Sequence, residues 1–212
     1  MDENLMITFK QFLSESDIEA ISASVMINKD CHDFLYETMG SFLVRGVKGL
    51  SEIPSHTALD HEGNEMEYGI KNVRTDRRPL DTSARRHKIF DDWFERKFGW
   101  KPRSEGVFAF GEKTSVNELK TYGTPCVIFP IGPIKYVWSP RVSDLYADIN
   151  IYTGIKGDDS VEDRIIDWLD HAGYIDNQLE DAAYNSAEVM IKCSKYYAFP
   201  YKYIERLHEA LR

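Results

Sequence analysis

Two side chains stand where a folded chain keeps them only with a partner or a task. Glu188 sits near the start of the otherwise apolar run Ala187-Glu188-Val189-Met190-Ile191, and a carboxylate is seldom buried without a charged or hydrogen-bonded neighbour. Arg45 closes the run Leu43-Val44-Arg45-Gly46, and a guanidinium at the end of a buried strand calls for a carboxylate or a phosphate. Gly46 lets a ligand approach the backbone closely. Between them, Arg103-Ser104-Glu105-Gly106-Val107-Phe108-Ala109-Phe110 sets a polar opening on an aromatic strand, with Phe108 and Phe110 on one face. Each feature also has a plain structural alternative. Arg45 can pair with a core carboxylate, the two phenylalanines can be core, and Glu188 can face solvent at a strand edge.

The phosphate cradles GxGxxG and GxxxxGKS/T are absent, as is the GxSxG elbow. His56, His61 and nearby acids tempt a metal reading that their spacing does not support. His61-Glu62-Gly63-Asn64-Glu65 lacks the second histidine of a zinc-protease helix, and Asp60 to Lys71 lacks the sixth-position glycine and final glutamate of a calcium loop. No metal is expected. Cys31, Cys126 and Cys193 are odd in number and far apart, which reads as buried thiols in a reducing compartment, not as a disulfide framework.

The elements that must position these residues follow from periodicity and punctuation. Helices are predicted over 16–26, over 30–39 with a stop at Gly40, and over 82–98, where Ile89, Phe90, Trp93, Phe94 and Phe98 form a stripe and Gly99 ends it. Further helices are predicted over 114–122, over 160–172 and over 201–211. Strands are expected over 41–44, 105–110, 187–191 and 196–199, with a hairpin of 125–131 and 134–138 about Gly132-Pro133. The polar stretch 51–69 reads as a loop. Strands interleaved unevenly with helices argue for an α+β fold, not a doubly wound parallel sheet.

Composition narrows the class. The chain has 212 residues and a net charge of −9, with 42% hydrophobic residues, enough for a core and against disorder. No run reaches the roughly 18 apolar residues of a membrane helix, so no membrane partner is expected. The acidic balance disfavours coating of nucleic acid. The segment 71–103 departs from it, with eleven Lys and Arg against five acids, a net +6 that leaves −15 elsewhere. Arg74, Arg77 or Arg78 can contribute to an anion site there, whereas Arg85-Arg86-His87-Lys88 reads as surface.

Taken in order, the strand-Arg-Gly of Arg45 and Gly46, the serine-bearing strand opening at Ser104 and the late Glu-Val strand at Glu188 resemble the ADP-ribosyltransferase family of the Arg-Ser-Glu type. The likeness is greatest to its compact phage-encoded members and spans about 41–199. The resemblance implies two small, roughly perpendicular β-sheets that clasp NAD, flanked by helices, in one domain over 16–212. It implies that Arg45 contacts the pyrophosphate or the adenosine-side ribose and that the Gly46 backbone lies near the nicotinamide amide. Ser104 would orient the glutamate, and Glu188 would bind the nicotinamide ribose. An aromatic residue (Phe108, Phe110 or Tyr122) would stack on the nicotinamide, and Arg77 is a further candidate for the NAD phosphates. Ser186 stands where many members carry Glu or Gln, so an arginine acceptor is not implied. Phe110 stands where a serine or threonine is expected, so the second motif falls at Ser104 or near Phe110.

The chemistry suits those roles. Loss of nicotinamide passes through a ribosyl-cation-like state, which a nearby carboxylate stabilises more than the ground state. The implied activity is mono-ADP-ribosyl transfer from NAD to a macromolecule, a host protein rather than nucleic acid. The alternatives are a non-enzymatic virion-internal or host-interaction protein of the same fold, and an NAD glycohydrolase. Residues 1–15, ending in Leu13-Ser14-Glu15, resemble the leaders that direct proteins into some phage heads; the alternative is a first helical turn on the domain. The implied location is the host cytoplasm, with delivery in the virion if the leader acts so.

Overall fold

The computed structural model describes residues 21–75, 82–153 and 162–212. The leader, Arg77 and Arg78 lie outside the described residues. The chain opens with α1 (Ala23–Asp30) and α2 (His32–Thr38), then β1 (Leu43–Val47), β2 (Ser55–Leu59) and β3 (Glu65–Asn72). Next come α3 (Ala84–Phe98), α4 (Pro102–Glu105), β4 (Val107–Gly111), α5 (Val116–Tyr122), β5 (Thr124–Ile131) and β6 (Lys135–Trp138). The remainder holds α6 (Leu145–Thr153), α7 (Glu162–His171), α8 (Leu179–Tyr184), β7 (Glu188–Lys192), β8 (Lys195–Pro200) and α9 (Ile204–Leu211).

The fold is α+β. The eight strands among the described residues form one open sheet in the order β2-β3-β8-β5-β1-β4-β7-β6, with antiparallel pairing throughout. Where two separate sheets are expected, the ladder is continuous but narrows sharply at its centre. β1 meets β5 in register from Leu43 to Val47, yet meets β4 only at Leu43↔Gly111 and Val44↔Phe110. Those two pairs join the halves, and past Val44 the two strands part.

Side-chain alternation along β7 divides the core. Val189 and Ile191 enter one apolar cluster with Ala23, Phe34, Val127 and Phe199, while Met190 enters a second with Phe90, Trp93, Phe94, Ile149 and Leu169. The stripe of α3 supplies the second cluster. Ser83 caps that helix by accepting the Arg86 N–H at 3.2 Å, and Gly99 ends it in the left-handed region.

Further expectations change, among them the helix expected over 16–26, which within the described residues starts at Ala23 and runs on to Asp30. The polar stretch 51–69 is mostly a hairpin, β2 with β3, in which Ala58 and Met66 pair as buried residues among exposed neighbours. With so few apolar residues it shows no alternation to read. Its turn is held by Asp60, which accepts the N–H groups of Glu62 and Asn64 and the Arg206 guanidinium. β5 and β6 are not paired with each other: the Gly132 N–H donates to Asp30 O at 2.8 Å, and β6 crosses to the sheet edge beside β7. Residues 102–105 form α4, so the strand expected from 105 begins at Val107.

Candidate active site

Arg45 occupies the opening between β1 and β4. Its Nη1 donates to Phe108 O at 2.5 Å, while its Nε is buried with no hydrogen-bond partner among the described residues. No carboxylate among those residues forms an ion pair with it. Nor do the nearby thiols balance its charge. Burial pushes Cys126 and Cys193 up to about 12 although Arg45 pulls both down, so they stay protonated. A guanidinium satisfied on one side by a carbonyl alone is equipped to meet an anion.

Gly46 lies beside this opening. A β-carbon there would come within 2.3 Å of Leu119 O and 2.7 Å of Tyr122 Cβ, so α5 covers that side of the residue. Its register partner Pro125 has no N–H, so this pair cannot exchange hydrogen bonds. The N–H and C=O of Gly46 turn toward β4. Phe110 stands opposite Val44 on one side and Glu188 on the other, with its ring 6.2 Å from that of Tyr122. Phe108 serves Arg45 through its carbonyl instead.

Glu188 is level with Val44 across β4, which sets their Cα atoms two strand spacings apart, roughly 10 Å. It is 9% exposed, and its Oε2 accepts the Leu145 N–H at the start of α6 at 2.9 Å. Burial, then the Asp144 charge, raise its pKa to about 7; the Leu145 N–H and Arg103 oppose the rise, and Asp148 adds to it. A carboxylate near half ionisation at neutral pH is the kind of group active sites maintain. Tyr174 is buried beside it with no hydrogen-bond partner for its hydroxyl among the described residues. Burial, with the Glu188 charge, holds that hydroxyl protonated.

Ser104 does not touch Glu188. It precedes β4 at the end where Val107 pairs with Ile191, and Glu188 is at the other end. Its hydroxyl donates to Asp91 Oδ2 at 2.5 Å and lies 3.0 Å from His87 Nε2. The same Nε2 is 3.4 Å from Asp91 Oδ2. A serine nucleophile relay needs the serine and the carboxylate on opposite ring nitrogens, so this cluster ties α3 to α4 and does not activate Ser104. Asp91 Oδ1 also accepts the Arg103 N–H at 2.9 Å.

The basic segment is partly interior. Arg85 pairs with Glu162 and Lys88 with Asp92 at the surface. Arg86, expected there too, is buried with Nη1 2.9 Å from Asn150 Oδ1, and His87 is buried as well. The helical turn carries Arg86 to α6 and His87 to Ser104 of α4, away from Arg85. Arg74 is exposed just past β3.

The structure thus brings Arg45, Gly46, Phe108, Phe110 and Glu188 to three adjacent strands and leaves Ser104 aside, but strand alternation turns the Arg45 side chain to the face of Cys126 and Cys193, opposite Phe110 and Glu188. Sequence reasoning gave no role beside Glu188 to Arg103, Tyr174 or Asp144. The available signals were slight: an arginine heading an aromatic strand, and a tyrosine directly after Gly173. No protein-family model, curated protein or solved structure matches the chain.

Proposed function

We propose that the protein is a mono-ADP-ribosyltransferase that moves ADP-ribose from NAD to a host protein, acting as a phage effector. The observation that carries this reading is Arg45, a half-buried guanidinium at an opening of the sheet with no carboxylate partner among the described residues. Its planar donors suit the pyrophosphate. The main-chain groups of Gly46 turn toward the same opening, where they can meet the nicotinamide amide. Phe110, with Tyr122 beside it, supplies an aromatic surface between Gly46 and Glu188.

Glu188 carries the chemistry in this reading. The bond between the ribose anomeric carbon and the nicotinamide nitrogen breaks, and nicotinamide leaves with the bonding pair. The anomeric carbon becomes positive until the acceptor attacks it and releases a proton. A carboxylate that binds a ribose hydroxyl beside that carbon strengthens its interaction as the charge develops.

One observation favours a second reading, a binding protein of similar fold without turnover. Glu188 Oε2 already accepts the Leu145 N–H, as a carboxylate that closes a helix N-terminus does. Labelled NAD incubated with a bacterial lysate and either wild type or Glu188→Gln separates them. Label on protein that vanishes in the variant is the expected result. Loss of NAD without label identifies a hydrolase, and neither, from folded wild type across several lysates, identifies the binding protein.

A further inference from the structure

We propose that Arg103 is a positioning residue for Glu188: its guanidinium, seated against Phe90 and Phe108 on the Glu188 face of the sheet, draws that carboxylate toward its charged form inside a buried site. The inference rests on Glu188 being the working carboxylate of the proposed reaction. Arg103 Cζ lies 5.3 Å from the ring centroid of Phe90 and 5.3 Å from that of Phe108. Phe108 pairs in register with Met190, and Phe110 with Glu188. Phe108 and Glu188 are therefore diagonal neighbours on one face, about 7–8 Å apart at the backbone and within reach of an arginine side chain.

The surroundings leave Glu188 short of positive charge. Asp144 precedes α6, Asp148 lies on it, and Tyr174 follows α7; the first two repel the carboxylate, and Tyr174 carries no charge while protonated. Among the described residues, the Leu145 N–H is the one hydrogen-bond donor to the Glu188 carboxylate. Arg103 supplies the opposing charge. Among the described residues its Nε is buried without a hydrogen-bond partner, and no carboxylate forms an ion pair with it.

The cluster around Ser104 acquires a purpose in this arrangement. Asp91 is 3% exposed and uses both oxygens on consecutive residues, Oδ1 for the Arg103 N–H and Oδ2 for the Ser104 hydroxyl. The start of α4 is thereby fixed to α3, and with it the direction in which Arg103 leaves the backbone.

The test reads Glu188 itself. Its side-chain carboxyl is titrated by carbon NMR, with the resonance assigned by its loss in Glu188→Gln, in wild type, Arg103→Met and Arg103→Lys. The expected midpoint rises by about one pH unit or more in Arg103→Met, about a tenfold change in the ionisation constant, and moves little in Arg103→Lys. An unchanged midpoint in folded Arg103→Met overturns the proposal. If that variant fails to fold, Arg103→Gln replaces it, and equal midpoints in the Gln and Lys variants overturn the proposal. The acid limb of kcat/KM for nicotinamide release is expected to move with the midpoint. A midpoint that moves while the limb stays, or while wild type releases no nicotinamide, overturns the role of Glu188 and leaves its coupling to Arg103 standing.

Discussion

Arg45 reaches across the sheet to Phe108, with its Nη1 2.5 Å from the Phe108 carbonyl oxygen, at the place where β1 and β4 stop pairing. The contact puts a charged donor on a strand carbonyl where the β1–β4 ladder has ended. The ring of the same Phe108 lies under Arg103. One residue of β4 therefore seats two cations, one at the opening and one on the Glu188 face.

Arg45→Lys keeps the charge and removes the planar fork. If the guanidinium grips a pyrophosphate, the dissociation constant for NAD rises about tenfold or more in the variant by titration calorimetry. The change in unfolding midpoint is expected to be small beside it. An affinity equal to wild type would place the phosphates elsewhere.

Glu188 makes stability depend on pH. Its folded pKa of about 7 lies above the ordinary 4.5, so its stabilising contribution is complete below 4.5 and is lost as pH rises through 7. Glu188→Gln removes that loss. The variant is expected to match wild type near about pH 4 and to exceed it by on the order of 2 kcal/mol near about pH 8. Denaturant unfolding at both pH values checks this, and a gap of the opposite sign would show that the buried carboxylate is held charged more tightly than its surroundings suggest.

Gly46→Ala tests the packing that shapes the opening. The added methyl meets backbone atoms, Leu119 O at 2.3 Å and Gly123 N at 2.8 Å, which cannot rotate away. A loss of about 1–3 kcal/mol in urea unfolding is expected. A loss near zero would mean that α5 yields easily and does not wall the site.

What the sequence disclosed and what it hid have physical causes. The helix of Phe90 and Trp93 was legible because its stripe, its Ser83 cap and its Gly99 stop agree. Arg45 and Glu188 were legible because charge beside apolar residues is costly wherever the strands go. The β2–β3 hairpin was hidden by its polarity, and the separation of β5 from β6 by a distant carbonyl, Asp30 O, that draws Gly132 aside. Arg103, Asp144 and Tyr174 meet Glu188 from three separate elements, and no local pattern encodes such a meeting.

The most direct measurement is the rate of nicotinamide release from NAD by wild type, Arg45→Met and Glu188→Gln, each verified as folded. The expected result is release by wild type, a raised KM with kcat largely kept in Arg45→Met, and a kcat lowered by about a hundredfold or more with KM nearly kept in Glu188→Gln. Release that is absent from wild type, or indifferent to both substitutions, would contradict a shared NAD site for Arg45 and Glu188.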